Sequence, residues 1–350
     1  MRPFPRPLSG YFFEDYRVGQ EFVHATPRTI TQGDVSLYQA LTGSRNPLHC
    51  SEPFAQSLGY PAMPVDDLLV FHIAFGKTVP DISYNAVANL GYADCRFLLS
   101  VFIGDTLRAE TEIIGLKENS SGKTGVVYVR SHAFNQREEL VLTWVRWVMV
   151  NRKGASTAPS TTVQGEGDFP AFVDAVDLAV PTYLSPAANL TYVTGCNRYW
   201  DDYQINESIA HPSGMTIDET DHTLATKLYQ NTARVHFDLH HMKDSRFGQR
   251  LVYGGQVISI CRALTYDGLE NALSILAING GTHHHPTFAG DTLYAVSTPL
   301  MKWPINANFG AIRIQLAGYK NIDPNTVPLN TIAETSKVLA FDFTALFPRR

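Results

Sequence analysis

Apolar residues recur along this chain at two spacings, and the spacings follow one another in the same order twice. From Asp66 to Val79, and again from Gly255 to Leu264, they fall at the interval of a buried helix. Ahead of each run a capping residue stands three positions before an acid, in Thr31-Gln32-Gly33-Asp34 and Asp218-Glu219-Thr220-Asp221. Both patterns predict helix starts, leading into Val35–Leu41 and His222–Leu228. Strand patterns follow the first long run: 106–114 partly alternates, and 125–132 and 141–150 are rich in Val, Trp and Tyr. A helix followed by several antiparallel strands predicts an α+β module whose sheet wraps one long helix.

The recurrence is a duplication. A shift of 187 residues puts Phe13-Glu14-Asp15-Tyr16 on Trp200-Asp201-Asp202-Tyr203, His24 on His211, Asp34 on Asp221 and His49 on His236. A shift of 186 then superposes Phe102-Ile103-Gly104-Asp105-Thr106-Leu107 on Phe288-Ala289-Gly290-Asp291-Thr292-Leu293. Between 85 and 109 nine of 25 positions match, where ordinary composition gives roughly two. The period is too long for a solenoid, so each copy is a domain-sized module. We place them at 10–150 and 171–350, joined by a Ser-, Thr-, Gly- and Pro-rich linker at 151–170.

Composition narrows the function. A net charge of −5 argues against a nucleic-acid partner, which needs a clustered basic face. No run of eighteen apolar residues and no signal-like N-terminus is present, which points to a cytoplasmic protein with no membrane partner. Cys50, Cys95, Cys196 and Cys261 are scattered, as reduced thiols are. His283-His284-His285 and His240-His241 are poor metal sites if extended, because successive side chains on a strand diverge. No metal or separate cofactor is expected.

Leu41-Thr42-Gly43-Ser44-Arg45-Asn46-Pro47-Leu48-His49, with Ala55 beyond, resembles the signature of MaoC-type (R)-specific enoyl-CoA hydratases. Longer strings resemble the mesaconyl-CoA hydratases, also called β-methylmalyl-CoA dehydratases: His24–Thr31, Leu69–Ile73, Gly76–Ser83 and Tyr229–Phe237. The resemblance spans nearly all of both halves. It implies two tandem hot-dog modules and a hydro-lyase that interconverts a branched dicarboxylic 3-hydroxyacyl-CoA and its enoyl-CoA. Coenzyme A would then be part of the substrate. Oligomeric state stays open, a homo-oligomer among the options.

Hydration of an enoyl thioester needs donors for the thioester oxygen and groups that move protons at the α- and β-carbons. The family pattern supplies an Asp and a His five residues apart, and a Gly at the start of the long helix. His49 and His236 fill the His position, while the Asp position holds Ser44 and Asn231. Gly254 matches the oxyanion glycine, where the first copy has Asp67, a charge that repels a developing enolate. The expectation is therefore a second-module site. His236 would be the acid/base, Asn231 a hydrogen-bonding partner, Gly254 the oxyanion donor and Gly255 beside it. Arg234, with Arg45 second to it, would hold the free carboxylate.

Plainer roles compete at each position. His236 and His49 could be core histidines, Asp34 and Asp221 helix caps, and Gly254-Gly255 a tight turn. Asp66 and Asp67 read first as cap and first-turn acids, and second as a proton donor supplied by the first copy. A hot-dog thioesterase and a non-catalytic acyl-CoA-binding protein are the rival functions.

Overall fold

A computed structural model describes residues 6–154, 164–165, 168–186 and 190–350. The capping boxes form as expected. Thr31 and Asp34 cap helix α1 (Gln32–Thr42), and Asp218 and Asp221 cap its counterpart in the second module. The long helices are α2 (Asp67–Ile82) and, after α3 (Glu219–Leu228), α4 (Gly254–Leu264). Fourteen of the sixteen residues of α2 are buried, as a helix wrapped by a sheet must be.

The first module's main strands are β1 (Ala86–Phe97), β2 (Thr106–Glu118), β3 (Thr124–Phe134) and β4 (Leu140–Asn151). The second supplies β5 (Ile275–His283), β6 (Thr292–Pro304), β7 (Phe309–Lys320) and β8 (Lys337–Pro348). They form one continuous antiparallel sheet in the order β2-β3-β4-β1-β5-β8-β7-β6, so the second half mirrors the first. The modules meet where β1 pairs with β5. There Ile278 opposes Cys95 and Gly281 opposes Tyr92, two pairings that the 186-residue shift exchanges. Most of the expected linker lies outside the described residues. Its described piece Gln164–Gly165 adds to the edge of β2.

Pseudo-twofold symmetry runs through the core. His72 of α2 and Ser259 of α4 are equivalent residues, and His72 Nε2 lies 2.9 Å from Ser259 Oγ. Around them Tyr38, Tyr229 and Tyr253 fill the space between the helices. Gly76 is required here: a β-carbon would stand 1.9 Å from the carbonyl oxygen of Tyr229. The repeated Gly-Asp-Thr-Leu is a turn into a strand. Gly104 and Gly290 have φ of 96° and 95°, and Asp105 and Asp291 each accept the N–H three residues back, at 2.9 Å. All four cysteines are free thiols.

Candidate active site

Each motif histidine sits on a four-residue helical turn, Pro47–Cys50 or Arg234–Phe237, and the two rings are anchored alike. His49 Nδ1 lies 3.1 Å from the Pro64 carbonyl and His236 Nδ1 lies 2.9 Å from that of Leu251, the equivalent residue. A carbonyl can only accept, so Nδ1 carries the proton and Nε2 is left as the free lone pair. Beyond Nε2 the two sites differ.

In the first module, Nε2 of His49 faces Asp67 Oδ2 at 3.8 Å. Asp67 opens α2, and its carboxylate accepts the Ile275 N–H of the other module at 2.7 Å. Burial pushes its pKa up to about 6, against the pull of His49. A water about 2.8 Å from both Nε2 and Oδ2 would close a triangle on this gap. Asn46 fixes the turn in place: its Oδ1 caps Leu48 N, and its Nδ2 donates to the carbonyls of Ala272 and Leu273. Asp66 caps α2 and also accepts from the Tyr38 hydroxyl at 3.2 Å. These groups, with Ser44, Ser259 and Arg262, line one pocket between the modules. Arg45 stands at its exposed rim, paired with Asp267 at 2.6 Å and stacked on Tyr266.

In the second module the counterpart of Asp67 is Gly254, and no side chain projects there. His283 takes up the space: a β-carbon on Gly254 would meet its Nε2 at 2.5 Å. Burial drives His236, His222 and His283 each down to about 4, so three neutral imidazoles stand where the first module has a histidine and an acid. Asn231 is buried with its Oδ1 on Ala233 N, a turn-stabilising bond. Gly255 lies against the His72 ring, at the crossing of the two long helices. Arg234 is exposed and rests on Tyr84, 3.1 Å from its hydroxyl. The structure thus brings His236 and Gly254 together, and leaves Arg234 outside.

The repulsion expected from an acid at the oxyanion position is reduced as pH falls to 6 and below, where burial leaves this carboxyl largely neutral. Of the lining residues, Asp67 reads from sequence as a first-turn acid first and a proton donor second, whereas Arg262 is not singled out there. Its signal was available: one cation in the otherwise uncharged run Ile258-Ser259-Ile260-Cys261-Arg262 of a buried helix. Among the described residues no cluster of three or more His, Cys, Asp or Glu is placed to hold a metal ion, and no helix is long and apolar enough to cross a membrane.

Comparison with known proteins adds independent findings. Residues 14–134 match the MaoC-like domain. The chain is 53% identical to the β-methylmalyl-CoA dehydratase of Chloroflexus aurantiacus over 97% of its own length and 98% of that protein. It is 48% identical to the mesaconyl-CoA hydratase of Cereibacter sphaeroides, over 97% of this chain and 99% of that one. A crystal structure of a MaoC-domain dehydratase from Chloroflexus aurantiacus superposes with a TM-score of 0.93 at 51% identity, covering 99% of this chain and all 100% of the other. A Mycobacterium tuberculosis protein described as a double hotdog superposes at 0.80 with 24% identity, covering 97% and 99%, and supports the fold.

Proposed function

Because this chain belongs to the MaoC-like family that includes the β-methylmalyl-CoA dehydratase of Chloroflexus aurantiacus, we propose that it is a hydro-lyase interconverting β-methylmalyl-CoA with mesaconyl-CoA and water. We assign the chemistry to the first-module pocket. The observation that carries this assignment is His49 facing a carboxyl group whose burial holds its proton to about pH 6.

The roles follow from the geometry. The thioester oxygen takes an N–H group of the first turn of α2 other than that of Leu68, which Asp66 caps. A water lodged between His49 Nε2 and Asp67 Oδ2 adds to the β-carbon as Nε2 removes its proton. Asp67 delivers a proton to the α-carbon. The pair ends as carboxylate and imidazolium, with one proton in total before and after. Dehydration runs the same transfers backwards. In this reading Tyr38 and Asp66 position the start of α2, and Asn46 positions the histidine.

A second reading keeps the reaction and moves it to His236, with Gly254 as oxyanion donor and Asn231 orienting the water. The bare helix start at Gly254 and the equal anchoring of His236 favour it. One experiment tests both: loss of the enoyl-thioester absorbance of mesaconyl-CoA, in wild type, His49→Ala and His236→Ala. Wild type should consume the band. Loss confined to His49→Ala supports the first-module site, and loss confined to His236→Ala overturns it. An unchanged band in wild type overturns the hydro-lyase reading with this substrate.

A further inference from the structure

The two halves exchange a pair of residues at one place in the fold. Phe75 of α2 and Arg262 of α4 are equivalent under the 187-residue shift. Arg146 of β4 and Phe343 of β8 are equivalent by strand register, since Arg146 pairs with Tyr92 and Phe343 with Ile278, the residue 186 positions on. In the first module the strand provides the guanidinium and the helix the ring, with Arg146 4.2 Å from the Phe75 centroid. In the second the helix provides the guanidinium, with Arg262 5.6 Å from the Phe343 centroid. Each guanidinium donates at 2.9 Å to an equivalent threonine, Thr78 or Thr265. The fold therefore holds a cation at this spot in both halves without requiring that the helix supply it.

Access separates the two. Arg146 is fully buried and bound also to Ser83. Arg262 is half-buried and lines the pocket of His49 and Asp67, and among the described residues its guanidinium is bound through Nη1 to Thr265. Asp66 and Asp67 are the nearby carboxylates that draw on its charge, yet neither makes a salt bridge with it among the described residues. A guanidinium turned into a pocket with spare donors is shaped to take a carboxylate.

We propose that Arg262 binds the free carboxylate of the acyl group, and so makes the pocket selective for dicarboxylic over monocarboxylic thioesters. The proposal rests on the hydro-lyase reading of that pocket. A monocarboxylic acyl chain would lay hydrocarbon against a half-buried cation that has no salt-bridge partner among the described residues, which is a strong basis for rejection. Arg262 acts here on binding and specificity and performs no proton transfer.

The test compares binding without turnover, using methylsuccinyl-CoA and 2-methylbutyryl-CoA, saturated thioesters of equal chain length that differ by the carboxylate. Calorimetric titration of wild type should favour the dicarboxylic thioester by roughly 10²-fold. Arg262→Gln should bring that ratio close to one, and Arg262→Lys, which keeps the charge without the fork, should fall between. A ratio unchanged in Arg262→Gln overturns the proposal, even in an active hydratase. Equal weakening of both thioesters also overturns it, because that marks a structural role. If the ratio collapses but wild type hydrates no mesaconyl-CoA, the carboxylate site stands and the hydro-lyase reading falls. Far-ultraviolet circular dichroism of both variants separates each outcome from misfolding, and the lysine variant keeps the test open should Arg262→Gln not fold.

Discussion

Asp67 Oδ2 stands 3.8 Å from His49 Nε2, in a gap too long for a direct hydrogen bond. The separation leaves room for a water held by both, and in the proposed mechanism the pair shares one proton through the reaction cycle. Hydration releases no net proton, so the equilibrium constant does not depend on pH. The profiles of kcat/KM must therefore coincide in the two directions. We expect a limb near pH 6 in wild type, displaced in Asp67→Asn, with kcat lower by roughly 10²–10⁴-fold. Steady-state rates from pH 5 to 9, measured in both directions, check this.

The same carboxyl predicts a gain in stability when it is lost. Its pKa is raised in the fold, from 3.8 to about 6, so the native state prefers the protonated form. Stability from this group is complete below 3.8 and is lost as pH rises through about 6. Asp67→Asn keeps an acceptor for Ile275 N–H and removes the buried charge. It should be more stable than wild type at pH 8, by about 3 kcal/mol at most, and so melt higher, with the difference vanishing near pH 4. A melting series for the two proteins across that range decides the matter.

For the histidines the expectation is asymmetric. His49→Ala should lower kcat for mesaconyl-CoA by roughly 10²–10⁴-fold, while His236→Ala stays within about tenfold. Arg234→Ala, which removes an exposed stack on Tyr84, should change kcat/KM by less than about threefold. Initial rates of the purified variants, at matched folded fraction, check all three.

Gly76→Ala probes the contact between the modules. Its β-carbon would overlap the Tyr229 carbonyl, which is backbone and cannot swing aside. We expect a loss of about 1–3 kcal/mol or more by urea unfolding, in a helix position where alanine would ordinarily be favourable.

Acid should weaken this protein through its interior imidazoles. Burial holds His72, His211, His222, His236 and His283 well below 6.5. For a depressed histidine, stability is complete above 6.5 and falls as pH drops toward the folded value, because the unfolded chain binds the proton more readily. Melting temperature should therefore drop steeply between pH 6.5 and 4. His222, whose two ring nitrogens have no hydrogen-bond partner among the described residues, gives the cleanest test: His222→Leu should flatten part of that slope.

Much of the architecture was readable from spacing alone. The two capping boxes, the two long helices and the duplication each depend on residues near one another in sequence or on a fixed shift. The motif histidines were readable too, and both adopt the same anchored geometry. What stayed hidden needed the third dimension. Asp67 looks repulsive as a letter in the chain, and only its burial against Ile275 of the other module turns it into an acid that titrates near 6. Arg262 and Phe75 align as an unremarkable mismatch, because their strand partners Arg146 and Phe343 are offset by a different shift, 197 residues.

The contact of His72 with Ser259 carries a lesson about ancestry. Were the two modules identical subunits, this position would set a residue against its own copy, and any change would be inherited on both sides at once. An acid at the start of one long helix would then impose the same acid on the other. With the halves free to differ, one long helix starts with Asp67 and the other with Gly254, and histidine meets serine at their crossing. Separating the genes for the two modules and mixing the products should accordingly restore only the mixed pair, never a working assembly of either half with itself.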